Sequence, residues 1–109
     1  MEPHLHAHLD EITALCRRYG VAQLELFGSA ANGEFRDDTS DYDFLVELDE
    51  RAPGSKARRW IALAEALEQL LGRHVDLVSP HYISNPFFRA AVDGSRMVVY
   101  DGQSPQAAA

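Results

Sequence analysis

The chain has 109 residues, enough for one domain with a single modest core and too few for a separate substrate-binding domain. Ten Lys and Arg against seventeen Asp and Glu leave a formal net charge of −7, which argues against a protein that grips nucleic acid by its own charge. A lone cysteine, Cys16, excludes an intramolecular disulfide, and no signal peptide or membrane-spanning apolar run is present, so a reducing cytoplasm is the expected compartment.

From the start of the chain, Leu5, Leu9, Ile12, Leu15 and Cys16 recur at three- and four-residue steps and predict one helix over Pro3 to Tyr19, closed by Gly20. Cys16 falls on its apolar face and reads as a core residue, not a nucleophile. His4 and His8 share a face of that helix, but with no further ligand to complete a metal site, His4, His6 and His8 read as solvated. Val21 to Phe27 is the first predicted strand.

The next stretch carries the chemistry. Gly28 permits close approach of backbone to a ligand, and Ser29 can N-cap a short turn over Ala30, Ala31 and Asn32 whose free N–H groups would face a phosphate. A second strand then carries Asp41 and Asp43 at a spacing of two, so both carboxylates project from one face, about 7 Å apart at Cα, while Tyr42 turns into the core. Like charges that close raise each other's pKa unless a cation holds them ionised, and Mg²⁺, which takes carboxylates, waters and phosphate oxygens, suits the pair better than Zn²⁺. Eight of the seventeen acidic residues fall between Glu34 and Glu50, so the region is electronegative until metal binds.

Pro53-Gly54 marks a loop, Ser55 caps the next helix, and Ala57 to Leu71 carries Trp60, Leu63, Ala64, Leu67, Leu70 and Leu71 on one stripe before Gly72 ends it. Trp60 reads as core. Arg51, Lys56, Arg58 and Arg59 form a small basic patch at the far end of the second strand, read as solvated or partner-facing. His74 to Ser79 is a third strand, broken by Asp76. A strand-helix-strand crossover of this length favours a parallel pair, which puts Asp76 near Asp41 and Asp43 and gives it a reason to ligate. After a loop over Pro80 to Ser84, Ser84 or Asn85 caps a helix with Pro86 in its first turn and Gly94 at its close, on which Phe87 and Phe88 cannot both face inward. Met97 to Tyr100 is the last strand. The domain is expected over residues 1–100, with 101–109 a disordered tail.

Gly28-Ser29, an eleven-residue spacer, and Asp41-Tyr42-Asp43 followed by Phe44-Leu45-Val46 resemble the Gly-Ser...Asp-x-Asp motif of the polymerase β-like nucleotidyltransferases. The short length resembles in particular the minimal nucleotidyltransferases, the MNT antitoxins, and the resemblance runs from about Val21 to Tyr100. It implies an α/β (α+β) single-domain nucleotidyltransferase fold with a mixed four-stranded sheet flanked by helices. It also implies Asp41, Asp43 and Asp76 as a catalytic and metal-binding triad holding two Mg²⁺ ions, with Asp76 the general-base candidate, and ATP as substrate. Gly28 and Ser29 would bind the triphosphate. Basic residues that often follow the Gly-Ser in relatives are replaced here by Ala30, Ala31 and Asn32, so triphosphate binding is expected to lean on Arg36 or on a partner. The acceptor implied is a tyrosine of a HEPN-type toxin, a helical ribonuclease, adenylylated in trans. The alternatives are a non-catalytic antitoxin that neutralises by binding and a small-molecule nucleotidyltransferase, the latter disfavoured because no acceptor domain is present.

Overall fold

The computed structural model describes residues 3–28 and 41–102. Ser29 and Arg36, the two expected triphosphate contacts outside Gly28, lie outside the described residues, as does 103–109. Alternating apolar side chains along Val21–Phe27 (β1) and Tyr42–Leu48 (β2) set the register of an antiparallel pair, with Leu26 opposite Phe44 and Leu24 opposite Val46. Val75–Val78 (β3) runs parallel to β2, and Met97–Asp101 (β4) pairs antiparallel with the other edge of β1. The described strands therefore form a mixed sheet in the order β3-β2-β1-β4. β4 continues through Asp101, one residue past its expected end, and Gly102 N–H donates to Ala22 O at 2.9 Å.

One face of this sheet is the main core. Leu24, Leu26, Tyr42, Phe44, Val46 and Val75 on the strands meet Leu5, Ile12, Cys16, Leu63, Leu67 and Leu71 from the helices, all buried. Each such leucine contributes roughly 2 kcal/mol of burial. Trp60 packs half-buried against the same cluster, as its place on the stripe predicts. Burial pushes the Cys16 thiol up to about 12, which leaves it protonated and inert.

The helices on this face depart from expectation at the N-terminus. The single helix expected over Pro3 to Tyr19 is two, Pro3–Ala7 (α1) and Leu9–Arg18 (α2), broken at His8, whose φ of −109° and ψ of 14° are not helical. His8 N–H reaches back only to Leu5 O, a tightened turn, and Ile12 N–H then restarts the ladder on His8 O. The break lets α1 cap its neighbour: His4 Nε2–H donates to Leu71 O at 2.8 Å, at the C-terminus of the helix Lys56–Leu71 (α3), and His8 Nδ1–H donates to His4 O. His4 and His8 do share a face, ring centroids 4.8 Å apart, and each also bonds a carbonyl.

α3 is capped at both ends as read: Ser55 Oγ accepts from Arg58 N–H, and Gly72, at φ +69°, donates its N–H to Glu68 O. Arg59 is a correction. It is not a solvated member of a basic patch but 8% exposed, with Nη1 donating to Tyr19 O and Gly20 O at the C-terminus of α2, where a cation complements the helix dipole. Arg51 and Lys56 pair with Asp49 and Glu50, while Arg58 is exposed.

The second face is covered in part by Pro86–Ser95 (α4). Asn85 Oδ1 caps it by accepting from Phe87 and Phe88 N–H. Gly94 does not close this helix; the ladder runs through it to Ser95. Val92 packs on Phe27 and Leu45, and Arg96 grips buried Glu25 with two bonds of 2.7 and 2.8 Å, which pins the C-terminal end of α4 to β1. Phe88 stands edge-on to Phe27 at 6.0 Å, while Phe87 is 86% exposed.

Candidate active site

Register decides which groups meet. Phe27 lies opposite Asp43 across the antiparallel pair, and Asp43 lies beside Asp76 across the parallel one, so the end of β1 and the starts of β2 and β3 converge on one end of the second face. Asp41 sits just before β2 on the same side. Ligand atoms of Asp41, His74 and Asp76 all fall within 4.8 Å of one another, and Asp43 lies beside Asp76 in the parallel register. Three sequence-expected carboxylates are thus together, drawn from two strands that α3 connects.

The electrostatics follow from that crowding. The Asp43 carboxyl is pushed up to about 6, first by partial burial and then by the charges of Asp76 and Asp41. A divalent cation would remove this penalty by screening the three carboxylates from one another, and carboxylates on an accessible rim are donors of the kind Mg²⁺ takes.

Gly28 closes the site from the β1 side. Its φ is +77°, and a Cβ built there would come within 2.7 Å of Asp43 Oδ2, so the backbone turn and the carboxylate occupy one space only because this residue lacks a side chain. Gly28 N–H donates to Ser95 Oγ at 3.2 Å, which ties the turn to the end of α4.

Two residues of the site were not foreseen. His74 Nε2 is 2.8 Å from Asp76 Oδ1, and its Nδ1 is 3.0 Å from Glu68 Oε2. The His74 pKa is raised, chiefly by the bond to Asp76. The spacing of two between His74 and Asp76 was a visible signal for a shared side; the reach of Glu68 from the last turn of α3 was not. A groove of about 640 Å³ lies toward the other end of β2, lined by Leu48, Trp60 and Ile61 among others, but its polar groups Lys56 and His81 already bond to Glu50 and Glu47.

Residues 12–99 match the family described as nucleotidyltransferase domain. The protein adenylyltransferase MntA of Thermococcus cleftensis is 36% identical over 100 residues, covering 92% of this chain and 91% of that relative. Among solved structures, one provisionally named a minimal nucleotidyltransferase superposes with a TM-score of 0.70 at 37% identity, covering 89% of this chain and 95% of the other. A toxin-antitoxin crystal structure with AMP-PNP is similar at a TM-score of 0.63 and 25% identity, over 87% of this chain and 74% of that one.

Proposed function

Because the chain belongs to the nucleotidyltransferase domain family, we propose that it is an Mg²⁺-dependent protein adenylyltransferase that moves AMP from ATP to a tyrosine of a HEPN-type ribonuclease toxin, and so acts as its antitoxin. The observation that carries this reading is the convergence of Asp41, Asp43 and Asp76 beside the side-chain-free turn at Gly28. An adenylyltransferase relative similar over nearly the whole chain supports AMP as the group moved, and the toxin-antitoxin neighbour with its ATP analogue supports both the partner class and the nucleotide.

In this reaction the tyrosine oxygen forms a bond to the α-phosphorus, the bond from that phosphorus to the bridging oxygen breaks, and diphosphate leaves. Asp76 takes the phenolic proton, which is held with an unperturbed pKa near 10, and passes it to solvent. Asp41 and Asp43, with Asp76, would hold the metal, which supplies Lewis acidity at the attacking hydroxyl and at the departing diphosphate. Gly28, Ser29 and Arg36 are the proposed contacts of the triphosphate. The adenylyl group adds a bulky anion where a ribonuclease must receive RNA phosphates, so inhibition persists without continued contact.

Incubating purified toxin with this protein, ATP and Mg²⁺, then removing this protein, is expected to leave toxin of increased mass and lost RNA cleavage. Toxin of unchanged mass that regains cleavage on separation would instead identify neutralisation by binding.

The toxin must be docked by surface outside the carboxylates, and Phe87, a large apolar side chain left 86% exposed at the start of α4, is proposed to take part. Phe87→Ala is expected to raise the toxin concentration at half-maximal rate by about tenfold, as loss of an interface aromatic does. The half-saturating ATP concentration stays as it was. A parallel change in both constants would place Phe87 outside the docking surface.

A further inference from the structure

We infer that His74 is a positioning residue for Asp76: it links the two carboxylate-bearing strands and selects the Asp76 rotamer that the reaction requires. The inference rests on the proposed metal-dependent transfer. The backbone of His74 already serves the site, since its carbonyl accepts the N–H of Tyr42 at 3.1 Å, between Asp41 and Asp43. Its ring extends the connection. Nε2–H donates to Asp76 Oδ1 at 2.8 Å, and Nδ1 lies 3.0 Å from Glu68 Oε2.

Glu68 is in turn fixed, because the same Oε2 accepts Val75 N–H at 3.0 Å, the first N–H of β3. Glu68 thus holds the ring from α3, and the ring holds the carboxylate. Asp76 needs such a hold. Its side chain is 53% exposed, so without a directional bond it samples several rotamers, only some of which point an oxygen at Asp43 and Asp41. One oxygen committed to His74 leaves the other to face the site.

Hydrogen-bond partners that orient ligating groups carry about ten- to a hundredfold of affinity or activity when removed. His74 is exposed, and the Tyr42 bond uses only its backbone, so replacing the ring leaves the strand ladder and the fold in place.

The test uses the full chain with His74→Ala, His74→Gln, Asp76→Asn and the His74→Ala/Asp76→Asn double variant. Mn²⁺ affinity is measured without ATP or acceptor, beside kcat and KM for ATP with toxin as acceptor. His74→Ala is expected to weaken Mn²⁺ binding and lower kcat by about tenfold with little change in KM for ATP. His74→Gln, which keeps an N–H donor in the place of Nε2, is expected to recover most of both. In the Asp76→Asn background, removing the ring should add no further loss, since its effect runs through that carboxylate.

Wild-type values in His74→Ala overturn the positioning role, and so does an equal loss in both backgrounds. Failure of Gln to rescue makes the ring a direct ligand instead. A wild-type chain that binds no Mn²⁺ removes the metal site itself, an outcome distinct from all of these.

Discussion

Asp43→Asn is expected to cut metal-dependent transfer of AMP by about a thousandfold or more, the largest effect of any single change at the site. The substitution keeps volume and removes one of the three proposed metal ligands, and metal-assisted charge stabilisation of several kcal/mol corresponds to that factor at about 1.4 kcal/mol per tenfold. The fold, by contrast, should gain.

Without metal, the folded state raises the Asp43 pKa from 3.8 to about 6, so it binds that proton more tightly than the unfolded chain does. Its contribution to stability is therefore full below about pH 4 and is lost as pH rises through about 6. Asn stays neutral throughout, so the variant should exceed the wild type by about 1 kcal/mol at neutral pH, once screening around a half-exposed group is allowed for. The gap should close between pH 6 and pH 4.

Adding Mg²⁺ should reverse the order, since the ion stabilises only the form that binds it. Thermal unfolding of both proteins across pH, with and without Mg²⁺, reads all three signs. A variant that retains full transfer, or that is less stable than the wild type at pH 7 without metal, would remove Asp43 from the site.

Much of that geometry was legible from the chain because it rests on periodicities. Asp41 and Asp43 share a face because strand side chains alternate, and Asp76 joins them because a helical crossover between neighbouring strands makes a parallel pair; the register of Asp43 beside Asp76 is what those two rules produce together. The caps at Ser55, Gly72 and Asn85 were readable for a similar reason, each being a local bond with its own sequence signature.

What could not be read depends on which distant elements end up adjacent. Nothing near His8 in sequence marks it as a break, since the bond that rewards the break goes from His4 to Leu71 across the fold. Arg59 looked like one of several surface cations until the C-terminus of α2 was seen to lie over it. Gly94 has the residue type of a helix end, but α4 runs one residue further, to Ser95, before Arg96 bonds to Glu25 and Asp93. His74 and Glu68 escaped for the same reason: a charged helix face and a strand start meet only after α3 and β3 have docked.

Gly28→Ala is expected to disable the site by a route that stability alone cannot explain, and Gly72→Ala supplies the comparison. Both glycines have positive φ, +77° and +69°, so alanine at either position carries a backbone cost of about 1 kcal/mol. Around Gly72 a new Cβ meets nothing within 4 Å, and only that cost applies. At Gly28 the Cβ would stand 2.7 Å from Asp43 Oδ2, closer than such atoms come, and either the turn or the carboxylate must shift.

The turn is tied down by Ser95 through Gly28 N–H, so the carboxylate is the part that yields. A rotation of Asp43 away from Gly28 carries its oxygens off the side shared with Asp41 and Asp76, and a displacement on the order of 1 Å at a reacting centre costs about a hundredfold in rate. The two variants should therefore unfold within about 1 kcal/mol of each other while only Gly28→Ala loses transfer activity and Mn²⁺ affinity. Equal activity in both would mean that Asp43 is not held where its contact with Gly28 puts it, and the steric account of this glycine would be wrong.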